Sequence, residues 1–340
     1  MTTTPDNRFD RQTRFAPFGT AGQAKLEQAS VFLLGAGALG GVIAQSLVRS
    51  GVGRLVFADR DSVDWTNLPR QVLFEDRHAA ASTPKAWAAL EALERIGGPT
   101  RLEAHATHVD ADNLVELSAG CDVLLDGSDN LETRYLLNDL AVKSDRPWVY
   151  AGVIGGGGLV MPIRPNVGPC LRCLFPEPPP PGTLETCDTS GVLMPAVGSV
   201  ASLAAGMALR LLVDPAGTPL RLMEIDAWHG ELRTLSIPRH PECPACGKRT
   251  FPFLEAPLSE RTLTLCGRNT VQVRGQGVEV DLDAMARRLA QAASRVERLG
   301  PLLRAELDGH RVTLFRDGRA LIEGTEDRGT ALAIYDRFLA

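Results

Sequence analysis

Val31-Phe32-Leu33-Leu34-Gly35-Ala36-Gly37-Ala38-Leu39-Gly40-Gly41 is the stretch that decides the fold. An apolar run ends in glycines at Gly35, Gly37 and Gly40, and Val42, Ile43, Leu47 and Val48 then recur at helical spacing. A strand that enters a helix through such a turn aims backbone N–H groups at a phosphate or nucleotide. The next apolar strand ends at Asp59, where a carboxylate can accept ribose hydroxyls. This much fits NAD as well as other nucleotides, because the glycine fingerprint is shared across the architecture. The continuation through Asp61 to Asn67-Leu68-Pro69-Arg70 favours a triphosphate. An amide and a guanidinium one loop beyond the ribose end can reach phosphate oxygens and offset charge growing on a leaving pyrophosphate. The plainer alternative is a solvated loop that happens to hold an arginine.

The surrounding pattern extends this unit into an α/β fold. Strands are predicted at 31–34, 54–58, 101–107, 122–126 and 147–152, alternating with helices at 40–50, 84–96, 111–118 and 130–143. Such alternation gives a doubly wound, Rossmann-like, mostly parallel sheet covered on both faces. In the 84–96 helix, Thr83 is the expected N-cap and Pro84 opens the first turn, with Trp87, Leu90, Leu93 and Ile96 on one stripe. Residues 1–30 form an N-terminal arm with a helix near 22–28. An antiparallel extension begins at Leu159 to Ile163. A Pro-rich crossover loop at 164–191 contains Pro178 to Pro181, and its Gly168 to Gly191 part is expected to be non-helical. A small-residue helix follows at 195–213, then strands at 221–227 and 232–237. The composition changes near 251–258, so a larger domain at 1–250 is expected to precede a small α+β domain at 258–340. That second domain should hold strands at 262–265, 270–274, 302–307, 311–316 and 319–323, and helices at 283–299 and 327–338.

Composition narrows the classes. The 340 residues are 44% hydrophobic and 23% charged, as in an ordinary globular protein. The net charge of −5 comes from interspersed signs, which argues against a nucleic-acid surface. The polar start lacks a signal-peptide core, and no tract is expected to reach the roughly 18 apolar residues of a membrane span. These features predict a cytoplasmic protein without a membrane partner. Four of the seven cysteines form two Cys-x-x-Cys pairs, which suits metal or redox work in a reducing compartment.

Those pairs, Cys170/Cys173 and Cys243/Cys246, have zinc-knuckle spacing, and two knuckles brought together would close one tetrahedral Zn²⁺ site. No open ligand position or nearby base is apparent, so the metal is read as structural. Cys187 lies unpaired just before the apolar helix, where a thiolate would be a nucleophile; an inert thiol is the alternative. Cys121 and Cys266 are read as inert. Lys85 sits at a helix start, a place that prefers acids, so either a bound phosphate or simple solvation accounts for it. Asp129 follows the strand ending at Asp126 and either holds Mg²⁺ or caps the next helix. With no P-loop, any ATP must be held by the Gly35–Gly40 turn. The six histidines form no metal spacing or triad.

The ordered set of Arg11-Gln12, Gly35-Ala36-Gly37-Ala38-Leu39-Gly40, Asp59-x-Asp61, Asn67 to Gln71, Pro84-Lys85, Asp126-x-x-Asp129-Asn130, the two knuckles, Thr186-Cys187 and Gly191-Val192 resembles the ThiF/MoeB/HesA adenylyltransferases, bacterial relatives of ubiquitin-activating enzymes. The resemblance covers about residues 8 to 250 and leaves 258–340 outside the core family. It implies ATP-dependent adenylylation of the C-terminal Gly-Gly of a ubiquitin-like sulfur carrier, ThiS-like or MoaD-like, in thiamine or molybdopterin synthesis. It implies that Gly35, Gly37, Ala38, Gly40, Asp59, Asp61, Asn67, Arg70, Lys85, Asp129 and Asn130 bind Mg·ATP. Arg11 would reach the neighbouring subunit's site in a homodimer, and Cys187 would bond the carrier during sulfur transfer, with a cysteine desulfurase as a further partner. Adenylation of another peptide or of tRNA, a zinc-containing NAD(P)-dependent dehydrogenase and a non-catalytic zinc-stabilised dimer are the competing readings.

Overall fold

The computed structural model describes residues 8–129, 131–178, 190–255, 262–265, 269–273, 279–290, 292–300 and 302–339. The chain divides into two compact units, Met1–Glu255 and Ala256–Ala340.

The first unit opens with helices α1 (Asp10–Thr13) and α2 (Gly19–Gln28), strand β1 (Ser30–Leu34), helix α3 (Ala38–Ser50) and strand β2 (Arg54–Ala58). Helices α4 (Asp76–Ala80) and α5 (Lys85–Ile96), strand β3 (Arg101–His105), helix α6 (Leu114–Leu117), strand β4 (Val123–Asp126) and helix α7 (Leu131–Lys143) follow. The unit continues with β5 (Trp148–Ile154), β6 (Gly157–Ile163), α8 (Leu171–Leu174), α9 (Met194–Val213), β7 (Leu222–Asp226), β8 (Glu231–Leu235) and α10 (Pro252–Glu255). These strands make one sheet in the order β3-β2-β1-β4-β5-β6-β7-β8. β1 to β5 run parallel, and β6, β7 and β8 extend the sheet antiparallel.

Side-chain alternation along the strands feeds two cores. Val31, Leu33, Leu55, Phe57, Val123 and Leu125 face Ile43 and Leu47 of α3 and Val197, Val200 and Ala204 of α9. Phe32, Leu34, Val56, Leu124 and Trp148 face Leu136, Leu137 and Leu140 of α7 together with the cysteine knuckles. Strand order reverses between β1 and β4, so a crevice opens at their carboxyl ends, where open α/β sheets bind ligands.

Several expectations need correction. α9 is long and apolar enough, by length and composition, to cross a membrane. It instead lays Ala196, Val197, Val200, Ala204 and Ala208 against the sheet, and its small residues give the close approach that a bulkier helix would prevent. The arm's helix α2 joins the main core: Leu26 is fully buried, and Lys25 Nζ donates to the Val213 carbonyl at 2.7 Å, closing the end of α9. The span 168–191 is not wholly non-helical, because the first knuckle coils its intervening residues into α8. Pro84, at ψ 132, takes the N-cap position expected of Thr83, whose carbonyl instead accepts from Val63 N at 2.8 Å.

The second unit is an antiparallel sheet of β9 (Thr262–Leu265), β10 (Thr270–Val273), β11 (Arg295–Leu299), β12 (Leu302–Leu307), β13 (His310–Phe315) and β14 (Ala320–Glu323), in the order β11-β12-β13-β14-β10-β9. Helices α11 (Leu282–Leu289) and α12 (Arg328–Phe338) bury Leu282, Met285, Leu289, Ile334 and Tyr335 against it. The helix expected over 283–299 is therefore two elements. Met285, Leu289, Val296 and Leu299 keep helical spacing, but Val296 to Leu299 find cross-strand partners in Ala305 to Leu302, and Gly300 at φ +55 turns the chain.

Candidate active site

The site begins where β1 runs out. Gly35 adopts φ +91, and a β-carbon there would lie 2.7 Å from the Gly127 carbonyl oxygen. At Gly40 a β-carbon would lie 2.0 Å from the Gly35 carbonyl oxygen, so the first turn of α3 sits directly on the strand end. Gly37 and Ala38 open the helix between them, which leaves its first amides at the mouth of the crevice.

Asp59, just beyond β2, ties this turn down. Its Oδ2 accepts from Ala36 N and its Oδ1 from Asp61 N, both at 2.8 Å. Burial pushes the Asp59 carboxyl above the ordinary carboxylate range, with Lys85 opposing the rise and Asp61 adding to it. Lys85 is only 3% exposed, and its Nζ lies 3.2 Å from Asp61 Oδ2. Solvation is thus excluded as the account of this lysine: residues 61–63 and 83–85 pair as short extended segments and turn it inward. The buried ammonium faces two carboxylates at the start of α5 and remains beside the crevice, where an incoming phosphate would compete for it.

The next loop is rigid for a local reason. Asp64 caps the short turn Trp65–Asn67 by accepting from Thr66 N, while Asn67 Oδ1 accepts from Asp64 N at 3.0 Å. Arg70 is half-buried and donates from Nη1 to the Thr66 carbonyl at 2.6 Å. Gln71 was not singled out as a site residue. It is 5% exposed beside Gly37, with Oε1 lacking a hydrogen-bond partner among the described residues. A buried amide oxygen without a partner at this mouth fits a polar guest.

β4 supplies the opposite wall. Asp126 is fully buried; its Oδ1 accepts from Ser128 N and Oγ, and its Oδ2 from Arg134 Nε at 2.9 Å. Arg134 Nη2 also donates to the Ser128 carbonyl at 2.8 Å, so one guanidinium clamps the turn that presents exposed Asp129. Arg134 was missed because its partner is set by packing of α7 on the sheet; its place one turn into that helix was the available signal. Asn130 and Cys187 lie outside the described residues.

Arg11 is exposed on α1 and makes no hydrogen bond or ion pair among the described residues. Its neighbour Gln12 is fixed by bonds from Nε2 to Gln23 Oε1 at 2.6 Å and to the Ser50 carbonyl at 2.9 Å. The structure does not bring Arg11 into this chain's own crevice.

Away from the crevice, Cys170, Cys173, Cys243 and Cys246 gather with all four sulfurs within 4.8 Å of one another. Cys170 and Cys243 sulfurs are 3.6 Å apart, and those of Cys173 and Cys246 3.4 Å. Tetrahedral zinc with bonds of about 2.3 Å places its sulfurs about 3.8 Å apart, so the set fits such an ion. The thiols divide unequally: hydrogen bonding from Cys170 pulls Cys173 down, while its sulfur neighbours push Cys170 up.

The description of the ThiF family matches residues 9–245. This chain belongs to the ThiF family. The sulfur carrier protein ThiS adenylyltransferase of Bacillus subtilis (strain 168) is 41% identical to this ThiF-family chain over 336 residues, covering 98% of the chain and 99% of that protein. The sulfur carrier protein adenylyltransferase of Thermus thermophilus is 39% identical over 250 residues, covering 71% of the chain and 90% of that protein. Among solved structures, E. coli MccB with MccA-N7isoASN shares the fold at TM-score 0.63 and 20% identity, over 71% of this chain and 75% of that one. The ThiF-family chain is an adenylyltransferase.

Proposed function

We propose that this ThiF-family adenylyltransferase activates the C-terminal glycine of a ubiquitin-like sulfur carrier, ThiS-like or MoaD-like, for thiamine or molybdopterin synthesis. The observation that carries the reading is the convergence of the Gly35–Gly40 turn, Asp59 and buried Lys85 on one crevice, with Asn67 and Arg70 on the next loop. It is supported by the match to the B. subtilis enzyme along nearly the whole of both chains.

In the reaction a carboxylate oxygen of the carrier attacks the α-phosphorus of ATP. The new C–O–P linkage forms as the α–β bridging bond breaks, and pyrophosphate leaves with that electron pair. Helix α3 amides and Asp59 would hold the phosphate and ribose ends, and Asn67, Arg70 and Lys85 would take the charge moving onto pyrophosphate. Asp129 would hold a Mg²⁺ ion, which when bound screens the phosphates. The partner subunit's Arg11 would complete the site in a homodimer, consistent with an exposed guanidinium on an anchored helix. The four cysteines would hold a structural zinc. The Cys187 thiolate would bond the acyl carbon of the carrier adenylate as the C–O bond breaks and AMP leaves with its electron pair, a cysteine desulfurase would supply sulfur, and a reducing cytoplasm would keep these thiols available.

The test is ATP–pyrophosphate exchange with recombinant carriers ending in Gly-Gly. Exchange that appears only when carrier is added is expected; its absence with every such carrier removes the proposal.

A further inference from the structure

The Arg134 guanidinium commits Nε to Asp126 and Nη2 to the Ser128 carbonyl, and its Nη1 bonds to no described residue. It lies over the Tyr150 ring at 5.5 Å. Tyr150 is 6% exposed, and among the described residues its hydroxyl has no hydrogen-bond partner. Both groups end at one place: a β-carbon on Gly152 would lie 2.9 Å from Tyr150 Oη and 3.7 Å from Arg134 Nη1. Gly152 follows Tyr150 by two positions on β5, so the two share a face of the sheet. The missing side chain thus leaves a niche into which an O–H and an N–H point with nothing to receive them. Burial also holds the Tyr150 hydroxyl above its ordinary pKa, which keeps its proton in place.

We infer that this niche receives the backbone carbonyl oxygen preceding the terminal residue of the acyl substrate; the inference rests on the function proposed above. The Arg134 charge is already matched by Asp126 2.9 Å away, so the niche offers donors without net charge. That suits a neutral carbonyl better than a second carboxylate, which would crowd two anions onto one guanidinium. The terminal carboxylate must in any case stay free to reach the α-phosphate. The ribose end of the nucleotide belongs over Asp59 beyond β2, so the acyl group approaches from the other side, across β4 and β5, and the niche lies on that path. A glycine floor lets a tail without side chains lie against the strand.

Two variants test this in carrier-dependent ATP–pyrophosphate exchange. Tyr150→Phe keeps the ring beneath the guanidinium and removes the hydroxyl; Gly152→Ala places a methyl group in the niche. With a recombinant ubiquitin-like carrier ending in Gly-Gly, Tyr150→Phe should raise the carrier KM about five- to tenfold, and Gly152→Ala should raise it further. The KM for ATP and the melting temperature of Tyr150→Phe should stay at wild-type values. Unchanged carrier KM in Tyr150→Phe, or equal rises in the KM for carrier and for ATP, overturns the niche while the proposed function stands. If Gly152→Ala fails to fold, Tyr150→Phe alone decides. Wild-type protein that exchanges with no Gly-Gly carrier overturns the function, and the niche with it.

Discussion

The nucleotide crevice and the four-cysteine cluster are both built for a charged guest, by opposite means. The first wall of the crevice comes from residues 35–85, and its fixed charges already answer one another, with Lys85 on Asp61 at 3.2 Å and Asp59 on the Ala36 amide at 2.8 Å. The cluster joins knuckles 73 residues apart and sets four sulfurs within 4.8 Å of one another. A wall whose charges are paired can fold before its guest arrives. Four crowded thiolates cannot all ionise unless a cation offsets them.

The largest expected effect follows from that contrast. Cys170→Ser, or removal of metal by a chelator, should lower stability by about 3 kcal/mol or more, read as a drop in melting temperature with loss of one zinc per chain. A melting temperature indifferent to both would make the cluster as self-sufficient as the crevice. Lys85→Ala should cost exchange activity about a hundredfold or more and stability about 1–3 kcal/mol, because it takes the ammonium from Asp59 and from Asp61, which keeps only the Arg60 guanidinium 3.8 Å away. A variant as stable as wild type would mean that the wall does not depend on this pairing.

Arg70→Ala sharpens the comparison within the crevice. Arg70 is half-buried and bonded to its own loop, so its loss should cut exchange about ten- to a hundredfold while leaving the melting curve in place. Arg11→Ala tests whether the crevice is finished from outside the chain. Mixed with Lys85→Ala, each nearly inactive alone, it should recover about a quarter of wild-type exchange through heterodimers with one intact site. No recovery would keep Arg11 within its own chain.

The smallest effect concerns Asp139 of α7, fully buried, whose Oδ2 accepts from Phe253 N at 3.1 Å while Oδ1 has no partner among the described residues. Burial pushes its carboxyl up to about 6. The folded pKa is raised, so between about pH 4 and 6 the unfolded chain sheds this proton first, and the contribution of Asp139 to stability falls as pH rises. Asp139→Asn should therefore gain about 1–2 kcal/mol on wild type at pH 8 and almost nothing at pH 4, measured by denaturant unfolding at both. Equal effects at the two pH values would contradict the shift.

Most of the first unit could be read in the sequence because its signals are local. The Gly35–Gly40 turn, the Asp64–Asn67 cap and the alternating strands are each set by near neighbours. The cysteine spacing likewise picked out the four residues whose sulfurs gather in one cluster. Other features depended on distant partners. Arg295 to Leu299 carried a helix-compatible pattern that only pairing with Leu302 to Glu306 turned into a strand. From the sequence Lys85 was open to either a bound phosphate or solvation, and its burial against Asp61 is a tertiary outcome.

What the sequence determined alone was therefore the order of elements, the nucleotide turn and the types of ligand, since φ limits, side-chain periodicity and capping act within a few residues. The tertiary structure decided which knuckle meets which, which charges are buried together, and that Arg134, Tyr150 and Gly152 share one niche. Those outcomes follow from strand order and from how α7 packs on the sheet, a sum of many weak contacts between distant parts of the chain that no single stretch contains.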